Sequence, residues 1–166
     1  AIDGRPRLGV ICAPVWRRTF VGLCSDSAYE LDAAGNSRPL RVNHVPPASI
    51  ESARLALSRR HRNAQVDAAA DRLGIRDIRI CGSTGLKMML VASGEVDLFM
   101  HTGSGPSLWD GCAPQAIVMA AGGTVCDAMG KPLRYDTAEL PLHRGIVAGE
   151  EALVRRAVDA LVPTAG

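Results

Sequence analysis

No run of apolar residues in this chain approaches the roughly 18–20 needed to cross a bilayer. Its first residues, Ala1-Ile2-Asp3-Gly4-Arg5, lack a charged segment followed by an apolar one, so no secretory signal is read there. An excess of charge of one sign is also missing. The net charge of +2 argues against a dedicated nucleic-acid binder, which carries a strong basic excess. The five cysteines, Cys12, Cys24, Cys81, Cys112 and Cys126, include no C-x-x-C pair. They read as free, mostly buried thiols in a reducing, cytoplasmic compartment. His44, His61, His101 and His143 show no spacing such as H-E-x-x-H, which argues against a zinc site. No internal repeat or low-complexity tract interrupts the chain. What is present suffices for an ordinary globular core: 166 residues, 47% apolar and 22% charged.

Asp3-Gly4 followed by Leu8-Gly9-Val10-Ile11 reads as a hairpin turn entering a strand. A chain that opens on a β-turn, without an initiator Met, has no partner strand before that turn. This predicts the C-terminal part of a longer protein. Residues 8–12, 19–23 and 28–31 are predicted strands, antiparallel and joined by tight turns, with Ala33-Ala34-Gly35-Asn36 as the next turn. Val45-Pro46-Pro47 is an expected extended linker, since proline disfavours helix.

Beyond the prolines, strand and helix alternate. Strands are expected at residues 53–57, 78–81, 96–100, 124–126 and 145–148, and helices at 63–73, 84–93, 110–121 and 150–161. Gly74 and Gly94 close two of the helices, Ser83 caps the second, and Gly130-Lys131-Pro132 is a turn. Asp110 is the expected N-cap of the third helix. That placement puts Pro114 in the first turn, where its missing amide has no partner to lose. Alternation of this kind implies a layered α/β/α unit.

Three stretches place polar residues just after a strand and before a helix, the usual ligand edge of open α/β folds. Gly82-Ser83-Thr84-Gly85-Leu86-Lys87 offers free amides, two hydroxyls and an ammonium to an anion, or is an ordinary capped helix with a solvated lysine. Ser58-Arg59-Arg60-His61-Arg62 is either a solvated turn or a phosphate- or nucleotide-recognition cluster. In Trp109-Asp110 the carboxylate is a helix cap or a hard oxygen ligand for Mg²⁺. One carboxylate holds Mg²⁺ poorly, and Asp97, Asp127 and Asp136 are further candidates by residue type only.

Trp109-Asp110-Gly111-Cys112-Ala113-Pro114-Gln115, continuing to Ala120-Ala121-Gly122-Gly123, resembles the W-D-x-A-A-G…A-G-G signature of the inositol monophosphatase superfamily. The Cys-Ala-Pro variant is most similar to its 3′(2′),5′-bisphosphate nucleotidases. Ser58-Arg59-Arg60-His61 resembles their S/T-R-S-H segment, with Arg60 in place of Ser. Gly82-Ser83-x-x-x-Lys87 resembles their G-(G/S)-x-x-x-K turn, and Gly130-Lys131-Pro132-Leu133-x-Tyr135 their G-x-x-L-x-Y hairpin. The resemblance covers essentially the whole chain.

The resemblance implies an α/β/α/β/α sandwich of the sugar-phosphatase type (α+β, layered) with its N-terminal part missing. Residues 1–45 would be the remainder of an N-terminal antiparallel-sheet domain, and residues 46–166 a C-terminal α/β/α domain. It implies an Mg²⁺-dependent phosphomonoesterase that removes the 3′-phosphate of 3′-phosphoadenosine 5′-phosphate, or of its sulfated form, in sulfur metabolism. Two or three Mg²⁺ ions would polarise the phosphate and deprotonate the attacking water. Asp110 would ligate one of them. Ser58, His61, Ser83 and Lys87 would hold the nucleotide's sugar and remaining phosphate, with Arg60 and Arg62 adding positive potential. The superfamily's upstream Glu-Glu pair and D-P-(I/L)-D-G-T motif do not occur in these 166 residues, so no catalytic residue is assigned here and the chain alone is expected to be inactive. Its partner would be a small phosphorylated nucleotide rather than a nucleic acid polymer or a membrane. A homodimer or a complementing N-terminal half is compatible with it. The alternatives are an inositol monophosphatase or fructose-1,6-bisphosphatase of the same fold, or a non-catalytic fragment.

Overall fold

Asp3 and Gly4 both adopt left-handed backbone angles (φ 50° and 70°), and Ile2 and Arg5 exchange both backbone hydrogen bonds, at 2.9 and 3.0 Å. This is the two-residue hairpin turn expected of Asp-Gly. The computed structural model describes residues 1–24, 26–45, 47–58, 63–103 and 105–162. The chain then builds a first sheet from β1 (Leu8–Ala13), β2 (Arg18–Leu23), β3 (Ala28–Leu31) and β4 (Ser37–Pro39), antiparallel and in sequential order. The fourth strand was not anticipated. It is short, exposed throughout and ends in proline, so it carries no alternating pattern to read. Pro47 also departs from expectation, because it opens a 3₁₀ segment, Pro47–Ser52, where a first-turn proline needs no amide.

The second sheet contains β5 (Arg54–Leu57), β6 (Asp77–Ile80), β7 (Leu98–His101), β8 (Thr124–Cys126) and β9 (Ile146–Gly149), in the order β6-β5-β7-β9-β8. Strand β5 runs parallel to β6 and β7, whereas β9 is antiparallel to both β7 and β8. The helices are α1 (Ala64–Arg72), α2 (Thr84–Ala92), α3 (Leu108–Ala120) and α4 (Glu151–Leu161). Alternation along β7 divides the core. Phe99 packs with Phe20, Met88, Met89 and Ile117 between the two sheets, around α2 and α3. Leu98 and Met100 pack on the opposite face, against Val66, Leu153 and Val154 of α1 and α4. The described residues thus stack as sheet, helices, sheet, helices. Among them, no helix is long and apolar enough to cross a membrane.

Two glycines let α3 lie directly on the first sheet. Gly9 and Gly22 are cross-strand partners. A Cβ at Gly9 would sit 2.1 Å from the Ala113 carbonyl oxygen, and one at Gly22 would sit 2.6 Å from the Ile117 Cα. Both obstacles are backbone atoms, which cannot rotate away. Gly9→Ala is therefore expected to lift α3 and to destabilise the protein by roughly 1–3 kcal/mol, read as a lower urea midpoint.

Asp97 ties the elements around β7 together. Its carboxylate accepts from the Arg54 backbone amide at 2.7 Å, from the Arg54 guanidinium at 2.9 and 3.0 Å and from Asn43 at 2.9 Å. Burial alone would raise its pKa, but the Arg54 and Asn43 bonds outweigh burial and hold it below the usual carboxylate range. A carboxyl depressed on folding stabilises the native state above its unfolded pKa of about 3.9 and loses that contribution as pH falls through the folded value. Asp97→Asn should cost about 3 kcal/mol near neutral pH, by leaving the Arg54 guanidinium without its carboxylate, and should flatten the acid side of the stability profile. Urea titrations at several pH values check both effects.

Candidate functional site

The three parallel strands of the second sheet end at one edge. Ser58 follows β5, Ser83 opens α2 after β6, and His101 closes β7 ahead of α3. These ends enclose a cavity of about 510 Å³ lined by Ser58, Ser83, Thr84, Lys87, His101, Gly105, Pro106 and Asp110. Four of the five residues singled out in the sequence, Ser58, Ser83, Lys87 and Asp110, therefore meet around one space. The fifth, His61, lies outside the described residues, as do Arg59, Arg60 and Arg62.

Lys87 is not the solvated lysine of the simpler reading. It is 3% exposed. Its Nζ donates to Ser58 Oγ at 3.0 Å and stands 5.2 Å from the centroid of the Phe99 ring. Burial pushes its pKa below the ordinary lysine value, while the nearby Cys81 thiol acts in the opposite sense. An ammonium in such a place attracts an anion far more strongly than one in water. Ser83, at the N-terminus of α2, has a left-handed φ of 59°, and its Oγ accepts from the Leu86 amide at 3.4 Å. That conformation is uncommon for a residue with a side chain and is held here by the turn from β6 into α2.

Asp110 is placed differently from expectation. The N-cap of α3 is Ser107, so Asp110 is the third residue of the helix, and its Oδ2 accepts from the Ser107 amide at 2.9 Å. The helix starts earlier because residues 106–108 pair with a distant loop. Leu108 N–H donates to the Leu140 carbonyl at 2.8 Å, and Leu142 N–H donates to that of Pro106 at 2.9 Å. Pro114 is consequently inside the helix. There it removes the amide that would bond the Asp110 carbonyl. Its ring faces Gly85 of α2, where a Cβ would be 3.6 Å away, so the two helix N-termini converge beside the cavity. Trp109, the neighbour of Asp110 in the motif, is 66% exposed and does not line it.

The other three aspartates do not join Asp110. Asp97 is committed to Arg54 and Asn43. Asp127 accepts from the Met129 and Lys131 amides, and Asp136 pairs with Arg134. Among the described residues, no group of three His, Cys, Asp or Glu side chains is placed to hold a metal ion. These residues offer one carboxylate to Mg²⁺ and do not by themselves make a site for it. The segment from Gly130 to Tyr135 also differs from the expected hairpin, because it contains no strand. It works as a clasp instead. The Tyr135 amide donates to the Gly4 carbonyl at 3.0 Å, and its hydroxyl donates to Gln115 Oε1 at 2.7 Å, joining the opening turn to α3.

The sequence reading counted the Thr84 hydroxyl with that of Ser83 in the turn before Lys87, but missed His101. His101 had a signal, as the last residue of a strand at the ligand edge. Gly105 allows the following loop to close over it, since a Cβ there would sit 2.8 Å from His101 Nε2.

Residues 1–162, which span both sheets and the cavity at the strand ends, match the inositol monophosphatase family, and the chain belongs to that family. It is 32% identical over 142 residues to the 3′(2′),5′-bisphosphate nucleotidase CysQ of Escherichia coli K12, covering 86% of this chain and 54% of that protein. It is 33% identical over 133 residues to the 3′-phosphoadenosine 5′-phosphate phosphatase of Mycobacterium leprae, covering 74% of this chain and 48% of that one. The chain thus spans about half the length of the curated relatives it matches. Among solved structures, an inositol monophosphatase from Zymomonas mobilis superposes with a TM-score of 0.75 at 24% identity, over 96% of this chain and 58% of that one. One from Anabaena gives 0.76 at 24% identity, over 96% and 61%. These two show the shared fold.

Proposed function

We propose that this chain carries the substrate-recognition part of a phosphomonoesterase that removes the 3′-phosphate of 3′-phosphoadenosine 5′-phosphate. The observation that carries the reading is the buried Lys87 ammonium, bonded to Ser58 at the floor of a cavity onto which the first turns of α2 and α3 open. The names of the curated relatives support the choice of a bisphosphorylated nucleoside. Ser83, Thr84 and Lys87 hold a phosphate, with free amides and a positive helix end beside them. Ser58 both accepts from Lys87 and turns its own hydroxyl hydrogen to the ligand. His61 contacts the nucleotide, and Arg60 and Arg62 raise the local potential. Asp110 contributes one carboxylate ligand to Mg²⁺, with the remaining ligands coming from carboxylates outside the described residues. Residues 1–45 and 46–166 act as two domains of one enzyme. The five cysteines, none of them in a disulfide, support a reducing, cytoplasmic setting.

Lys87→Ala and His61→Ala are expected to weaken use of 3′-phosphoadenosine 5′-phosphate by about tenfold or more, and use of inositol 1-phosphate much less. Both side chains are assigned to the part of the nucleotide that is not cleaved. Steady-state kinetics on the two substrates decide it, and equal losses on both would contradict the nucleotide assignment.

A further inference from the structure

We propose that Lys87 is a covalent modification site for small aldehydes that carry a phosphate. The inference rests on the cavity accepting phosphate, as in the reading above, but not on the identity of the phosphate ester that is cleaved. Lys87 and Lys131 are the only lysines in the chain. They occupy opposite environments, since Lys131 is exposed on the loop after β8 and Lys87 is buried at the cavity. The Phe99 ring covers one side of the Lys87 ammonium, and Ser58 Oγ takes one of its N–H groups. Among the described residues, no carboxylate lies within ion-pair distance of Nζ to hold the proton on it. Burial favours the free amine, which is the nucleophilic form. The cavity supplies the second requirement. Ser83 and Thr84 at the start of α2 can seat a phosphate, which would hold a tethered carbonyl close to Nζ at high effective concentration.

The step balances without any redox partner. Nζ gives its extra proton to water, and its lone pair forms a C–N bond to the carbonyl carbon as the C=O π pair moves to oxygen. Nitrogen then gives up its two remaining protons, which through water reach that oxygen; the C–O bond breaks to release water as the nitrogen lone pair closes the C=N bond. A C=N imine remains, reversible in water. While it persists, the cavity is closed to a phosphate ester, so phosphorylated aldehydes would act as inhibitors of this site.

The test uses the whole chain with pyridoxal 5′-phosphate as the probe, borohydride reduction to trap the imine as a secondary amine, and peptide mapping. Labelling is expected at Lys87 in about tenfold or greater preference to Lys131 and the Ala1 amine. Pyridoxal, which lacks the phosphate, is expected to lose that preference, and inorganic phosphate to compete. Equal labelling of Lys131, or equal labelling of Lys87 by pyridoxal, would overturn the proposal. A separate arm with excess 3′-phosphoadenosine 5′-phosphate reads the function. Selective labelling of Lys87 that this nucleotide does not block would remove the nucleotide assignment and leave the modification site standing.

Discussion

Asparagine in place of Asp110 is expected to cut phosphatase turnover by roughly a hundredfold or more while barely changing thermal stability. The measurement needs a protein that carries this chain together with the two acidic upstream motifs of the resemblance. The two effects separate because the carboxylate does two things. Its Oδ2 accepts from the Ser107 amide at 2.9 Å, a bond that an asparagine carbonyl also accepts. Only the negative charge is lost, and its interaction with the helix N-terminus is about 0.3–1 kcal/mol. In the proposed role the charge would also bind a cation. Asp110→Ala loses the acceptor as well and should destabilise by about 1 kcal/mol more. Calorimetry and turnover measured across a Mg²⁺ titration distinguish the variants. Turnover of Asp110→Asn equal to that of the parent at limiting Mg²⁺ would remove Asp110 from the metal.

Purified by itself, the 166-residue chain is expected to release no phosphate from 3′-phosphoadenosine 5′-phosphate at any Mg²⁺ concentration, and to self-associate. Asp110 is the one carboxylate among the described residues that line the cavity. Mg²⁺ sheds its water reluctantly and needs several ligands in octahedral array. Self-association follows from the first sheet. One face packs on α3, but on the other Leu8 is 58% and Val10 55% exposed, beside Leu23 and Tyr29 on the neighbouring strands. Strand β1 is also an edge of that sheet. A continuous apolar face next to an open edge drives association in water. Val10→Lys should raise the monomer fraction without creating activity, whereas adding a segment with the Glu-Glu and D-P-(I/L)-D-G-T motifs should restore both solubility and turnover. Light scattering and a phosphate-release assay read the two outcomes. Metal-dependent release from a clean monomer of the unmodified chain would count against this account.

Local rules recovered most elements because most are specified locally. The Asp3-Gly4 turn, the Ser83 cap and Gly74 after α1 act on the few residues beside them. At the start of α3 the rules went astray because a distant segment intervened. Asp110 is a good N-cap residue, yet Ser107 takes that place because residues 140 and 142 bond the backbone at 108 and 106. The parallel trio and the one reversed strand, β9, look alike as short apolar runs, and only their pairing sets direction. Asp97, Asp127 and Asp136 are equivalent by type and were separated only by their partners.

The amino-acid sequence by itself determined the family, through motifs whose residue types and order survive without coordinates, and it determined which polar residues fall at strand-to-helix junctions. It could not say whether those junctions share a space. The tertiary structure decided that Ser58, Ser83, Lys87 and Asp110 line one cavity, that His101 and Thr84 join them, and that Lys87 is buried rather than solvated. The reason is physical. Capping and turn preferences depend on atoms a few residues apart, whereas a cavity and the desolvation of an ammonium depend on which strands become neighbours, and that is set by packing across the whole chain.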